Sequence, residues 1–275
     1  MLALVAAGLY GGADFLGGLA TRRDAWLRVT IYAELVGLVP LALVTPLVWP
    51  HVPTPVSLAW GVAAGVVGAA GIALLYRGLG AGNMSVVAPI TAVCATVVPV
   101  VAGIAFGEHP TSRAFIGIAI AVVAIVLVSQ GSQSAGGNKP GAVGMALASG
   151  VSIGGFLILI AQAHGNGLWP LLVSRVAATA VLMVLALAQR GTFVPAASVR
   201  MTVIWCGTFD AAATVFYALA VHPGALGIVA TLISLYPVAT LVLARVVLHE
   251  HLRRRQAVGL VCAAGAVVLI TGGVG

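Results

Sequence analysis

Four ionisable side chains stand inside long apolar runs of this chain: Asp14, Glu34, Arg175 and Asp210. A charge at bilayer depth costs ~2.5–3.5 kcal/mol on insertion scales, so each is a functional candidate. Asp14 and Glu34 lie at one depth, about 8–9 Å from the same end of the first two runs at 1.5 Å per residue. Two carboxylates so placed can share a proton or hold a cation. The alternative is local capping or pairing, with Arg22 or Arg28 reaching in from the adjoining loop. Arg175 and Asp210 lie ~10 and ~16 Å from the far ends of their runs, a difference that an arginine side chain spans. They read as an ion pair joining two helices, or as receivers of the carboxylate and ammonium of a zwitterion. Arg245, close to a run end, reads as a snorkelling anchor.

Aromatic and hydroxyl groups form the second candidate set. Tyr10 and Ser152 occupy equivalent positions 142 residues apart, and Tyr76 and Tyr217 sit at comparable ends of their runs. Rings with a polar edge suit a cavity for amphipathic small molecules, and Trp205 joins this set as a candidate lining residue. Trp26, Trp49 and Trp169, at run ends, read instead as interfacial anchors. Gly150-Val151-Ser152-Ile153-Gly154 matches a serine-nucleophile pattern, which raises an intramembrane protease as a rival. A nucleophilic serine needs a base within hydrogen-bond reach. All six histidines fall in loops or at run ends, and Gly8-x-x-x-Gly12 repeats the glycine spacing without a serine. Gly8, Gly12, Gly150 and Gly154 therefore read as close-packing positions.

The elements that position these residues follow from composition. Charged residues make up 7% and apolar residues 61%, with a mean hydropathy of +1.15. A soluble domain carries about a quarter charged residues, so the solvent here is lipid. The net charge of +7 comes from basic residues scattered over loops, which excludes a nucleic-acid face. Cys94, Cys206 and Cys262 lie in apolar runs without metal-ligand spacing and read as buried thiols. No metal or cofactor is implied. Met1 leads directly into an apolar run that reads as a retained span rather than a cleaved leader.

Runs able to cross a core of ~30 Å occupy 1–20, 29–49, 56–76, 84–107, 113–130, 140–161, 168–188, 199–221, 226–248 and 256–272. The fold predicted is an all-α membrane protein of ten spans. Its second half repeats its first. Over 104–127 against 246–269, 8 of 24 positions are identical, including Glu108/Glu250, His109/His251, Arg113/Arg255 and Gly117/Gly259. The division is 1–130, a linker at 131–139, and 140–275. Five spans per copy make the copies inverted in the membrane. Ten basic residues (Arg22, Arg23, Arg28, Arg77, Lys139, Arg190, Arg200, Arg253, Arg254 and Arg255) fall in loops on one side, and Arg113 alone on the other. The positive-inside rule puts the first set in the cytoplasm and both termini outside. Pro40, Pro89, Pro99 and Pro237 are candidate hinges.

The paired five-span halves, the Gly-Glu-His and His-Glu-His turns, Tyr236-Pro237 before Glu250, and Gly117 and Gly259 after the turns resemble the drug/metabolite transporter superfamily. Within it, the chain is similar to EamA-type ten-span exporters, broad or aromatic amino acid exporters among them. The first half departs from the pattern, with Pro99 nine residues before Glu108. The resemblance implies a bacterial inner-membrane carrier, not an enzyme, with a central cavity and alternating access. It implies export of small metabolites, amino acids first, with multidrug, cation or sugar carriers as the alternative. A monomer already holds both halves. A channel built on the same repeats is the remaining rival, separated from a carrier by counterflow.

Overall fold

A backbone in hydrocarbon must satisfy its own hydrogen bonds, and an unbroken helix does so within one segment. The apolar runs accordingly fold as helices. A computed structural model describes residues 1–51, 53–80, 84–129, 141–163, 167–189, 193–221, 225–247 and 254–271. Eleven helices occupy them: α1 (Leu2–Thr21), α2 (Trp26–Val48), α3 (Pro55–Gly80), α4 (Met84–Ala105), α5 (Ser112–Ser129), α6 (Ala142–Gln162), α7 (Trp169–Ala188), α8 (Ala197–Ala220), α9 (Leu226–Ile233), α10 (Tyr236–Val247) and α11 (Arg254–Thr271). Among the described residues, seven stretches are long and apolar enough to cross a bilayer, with Leu226–Val247 counted as one. Ile90–Ala105 and Ser112–Leu127 are apolar but shorter. On α2, Val39, Leu43 and Leu47 form an exposed stripe at i, i+4 and i+8, the last 81% exposed, which is a lipid-facing surface rather than a core. The second acidic turn, Glu250-His251, and the 131–139 linker lie outside the described residues.

The shift of 142 residues carries α4 onto the span of α9 plus α10, and α5 onto α11, end to end. It also exchanges the packing partners. α1 packs on α8 as α6 packs on α3, α2 on α8 as α7 on α3, and α1 on α10 as α6 on α4. α5 packs on α11, and α2 on α7, across the pseudo-two-fold. Loop contacts agree with the alternation of ends. The Ala196 N–H donates to Asp24 Oδ2 at 2.7 Å, joining the loops after α1 and α7. Trp169 Nε1 donates to the Trp49 carbonyl at 2.8 Å, joining those after α2 and α6.

Glycine sets the closest crossings, but not at all the positions the spacing suggests. A Cβ on Gly150 would collide with Cys94 and Thr91 of α4, and one on Gly154 would meet Val98 at 2.9 Å. A Cβ on Gly12 would stand 2.9 Å from the Phe209 ring. Gly8 is a correction: a Cβ there meets nothing within 4 Å, whereas one on Gly11 would stand 2.6 Å from the Tyr236 carbonyl oxygen, so Gly11 makes the close approach instead. Gly8 is exposed, on a part of the α1 surface turned away from the neighbouring helices. The tightest pair was not anticipated. Gly65 lies against the Ser174 carbonyl of α7, and its repeat mate Gly207 against the Ala33 carbonyl of α2, so side chains at either would force the halves apart.

Of the four prolines offered as hinges, only Pro237 coincides with a helix break. α4 runs through Pro89 and Pro99, and α2 through Pro40. Pro237 has no N–H to give to the preceding turn, so the helix stops at Ile233 and restarts at Tyr236, where proline is tolerated. The first acidic turn has a structural use. Gly107, at φ +93°, makes a bend that few other residues adopt. The bend delivers the buried Glu108 to the start of α9, where its carboxylate accepts from Leu226 N–H at 2.5 Å and Gly227 N–H at 2.9 Å. No side chain of α9 itself caps that end.

A leucine at Gly65 or Gly207 is expected to cost more than the roughly 1–3 kcal/mol of ordinary overpacking, because the obstacle is backbone. Gly8→Leu is expected to leave the thermal midpoint in detergent unchanged, so equal losses at Gly8 and Gly65 would contradict this packing. Glu108→Ala strips two charge-assisted hydrogen bonds, at about 1.5–3 kcal/mol each. Its thermal midpoint is expected to fall clearly below that of the exposed-site control His109→Ala.

Candidate functional site

The four buried charges converge. Arg175, on α7, places Nη1 2.8 Å from Glu34 Oε2 on α2, and its Nη2 pairs with Asp210 Oδ2 on α8. The same Nη2 donates to Thr214 Oγ1 at 3.2 Å. Thr214 donates its one hydroxyl proton to the Asp210 carbonyl, one turn earlier, at 2.9 Å. Its lone pairs must then accept from Arg175 and from the Tyr10 hydroxyl, 2.9 Å away on α1, which makes Tyr10 the donor. Helices of both repeats, α1 and α2 with α7 and α8, are thus tied by one guanidinium.

The expected Arg175–Asp210 pair is present, but Glu34 is its third member rather than the partner of Asp14. Hydropathy starts the second span at 29, whereas α2 begins at Trp26. Eight residues then separate Glu34 from the helix end, about 12 Å at 1.5 Å per residue. That added depth and two long side chains close the gap to Arg175. Local pairing of Asp14 with Arg22 or Arg28 does not occur either. Arg28 bonds Asp24 at 3.0 Å, four residues before it. Among the described residues Asp14 has no ion-pair or hydrogen-bond partner.

Asp14, Glu34, Arg175 and Asp210 all line one cavity between the repeats. Its volume is about 140 Å³, counted as space open to the centre of a water molecule. That is room for on the order of ten waters, or one small metabolite. Tyr10, Tyr76 and Tyr236 supply its aromatic walls, and Ile233 and Ser234 bring the α9–α10 break to it. Tyr76 and Tyr236 bracket Asp14 along α1. The Tyr76 hydroxyl lies against Gly17, three residues after Asp14, and the Tyr236 carbonyl against Gly11, three residues before. Both tyrosines line the same cavity as the free carboxylate.

Three expected lining residues are placed elsewhere. Tyr217 is fully buried and donates its hydroxyl to the Leu157 carbonyl at 2.5 Å, bracing α8 against α6. Trp205 is 52% exposed on the outer surface, its ring 5.8 Å from that of Phe209. Ser152 packs its Cβ on Gly71 of α3, 3.1 Å from where a Cβ would stand there. The glycine-serine-glycine run is therefore a packing surface, with Gly150 and Gly154 against α4. Tyr236 and Thr214 were missed as site residues. Tyr236 stood out only as half of the Tyr-Pro motif, and an apolar run gives a threonine no distinguishing signal.

Two repeats, α1–α5 and α6–α11, close on a charged central cavity. The profile of the EamA-like transporter family matches residues 1–130 and 141–272, one match per repeat, and the chain belongs to that family, within the drug/metabolite transporter superfamily. A solved structure titled "Crystal structure of protein" superposes with a TM-score of 0.78 at 14% identity, covering 98% of this chain and 95% of that one. That likeness concerns the fold alone. No curated protein matches the chain.

Arg175→Met is expected to leave Glu34 and Asp210 without a counter-charge, costing about 3–5 kcal/mol. Size-exclusion and thermal unfolding in detergent read the loss. Adding Glu34→Gln and Asp210→Asn to that variant is expected to restore a monodisperse protein. A single Arg175→Met variant as stable as the parent would dissolve the triad as a structural element.

Proposed function

We propose that this chain is a carrier that moves small metabolites bearing an amino group out of the cytoplasm by alternating access. The observation that carries the reading is the cavity between the repeats, where an unpaired carboxylate stands among tyrosine rings. The amino-acid substrates suggested by the family resemblance share the amino group that Asp14 is placed to receive. The reading takes α4, α5 and α11 as spans beside the seven longer stretches, giving ten, with the second repeat inverted and both termini outside a bacterial inner membrane. A single chain supplies both halves of the site and works as a monomer.

The pseudo-two-fold supports the exchange of two states, because packing on one side of the cavity has a counterpart on the other. The Glu34–Arg175–Asp210 triad is the joint about which the halves move. Asp14 is the coupling group of this reading. Glu34, the other coupling candidate, is already committed to Arg175.

Purified protein in liposomes, loaded with a panel of labelled amino acids, sugars and organic cations, tests the function. Saturable flux with counterflow is expected, and linear flux without counterflow would instead indicate a channel. Asp14→Asn is expected to abolish any dependence on a pH gradient, with exchange persisting at weaker substrate affinity. PH dependence that survives in both Asp14→Asn and Glu34→Gln would rule out coupling through these acids.

A further inference from the structure

The charges lining the cavity do not balance. Asp14, Glu34 and Asp210 bring three carboxylates, and Arg175 brings one guanidinium. The guanidinium is also spent. One end holds Glu34 at 2.8 Å, the other holds Asp210 and Thr214, and the Arg175 side chain is only 7% exposed. A substrate carboxylate entering here would meet two carboxylates already on the one cation. An ammonium would meet an unpaired Asp14 in a cavity that Tyr10, Tyr76 and Tyr236 also line. Aromatic rings attract a desolvated cation in addition to the direct ion pair. Hydroxyl edges of the rings accept N–H donors.

We infer that the cavity selects organic cations lacking a carboxylate, amines and quaternary ammonium compounds, over the corresponding zwitterionic amino acids, with Asp14 as their counter-ion. This inference rests on the carrier reading and narrows its substrate class. Discrimination comes from repulsion as well as attraction. A zwitterion gains the same ammonium contact but carries a second charge into a site with no free cation to receive it. Arg175 accordingly organises the site and does not touch the substrate's acid group.

Two pairs of probes isolate the carboxylate. Choline and glycine betaine share a quaternary ammonium, and agmatine and arginine share a guanidinium. Competition against labelled choline and labelled agmatine is measured with the full chain in liposomes. Choline and agmatine are expected to compete at concentrations at least tenfold lower than their carboxylate-bearing partners. Asp14→Asn is expected to weaken both at least tenfold, and Asp14→Glu to retain them. Saturable flux in which arginine or betaine equals or outcompetes its partner would overturn the inference and leave the carrier reading standing. Absence of saturable flux for all four probes and for the amino-acid panel would overturn both. The comparison within each pair uses the parent protein, so it decides the matter even if the Asp14 variants fail to fold. Undiminished choline and agmatine affinity in a folded Asp14→Asn variant would remove Asp14 as the counter-ion.

Discussion

One guanidinium holds the centre of this protein. Arg175 sits where water does not reach freely, between Glu34 of the first repeat and Asp210 of the second. In a low-dielectric interior neither acid can stay charged without a close cation, and the cation cannot stay without them. The helices that carry the three residues are therefore held together at the depth where the triad forms. The Thr214 hydroxyl extends the constraint to Tyr10 of α1. The cavity is the space left over once this knot is tied, and three carboxyl groups line it against one guanidinium.

Around the knot, the repeat supplies near-symmetry and the sequence breaks it where chemistry is needed. Gly65 and Gly207 occupy matched positions and allow matched backbone crossings on the two sides of the molecule. The charged positions have no such matches. The mates of Asp14, Glu34, Arg175 and Asp210 are Phe156, Val176, Ala33 and Gly68. α9 and α10 are broken ahead of Pro237, whereas α4, whose matching residue is Ala95, is continuous and uses that alanine as cavity wall.

The first acidic turn shows how a repeated motif can serve the frame rather than the site. Glu108 is buried, acidic and part of the family pattern, all of which suit a substrate or proton role. Instead its carboxylate closes the N-terminus of α9, where backbone N–H groups and the helix dipole favour an anion. The contact joins the α4–α5 turn of one repeat to a helix of the other, on the helix that ends at the cavity.

Hydropathy, charge bias and the 142-residue repeat determined the helical runs, their division into halves and the family, because each is a local or periodic property of the chain. The same reading picked out every charge in the cavity, since a charge in a lipid-solvated run stands out by its cost. It could not pair them. Depth counted along separate helices carries errors of a few residues, and long side chains erase such errors, so Glu34 was matched with Asp14 when its partner is Arg175. Nor could it sort equivalent residues by direction. Gly8 and Gly11, or Tyr10 and Tyr217, differ only in which helix face they occupy, and neighbouring helices alone give a face its meaning. Tertiary packing therefore decided which acid remains unpaired.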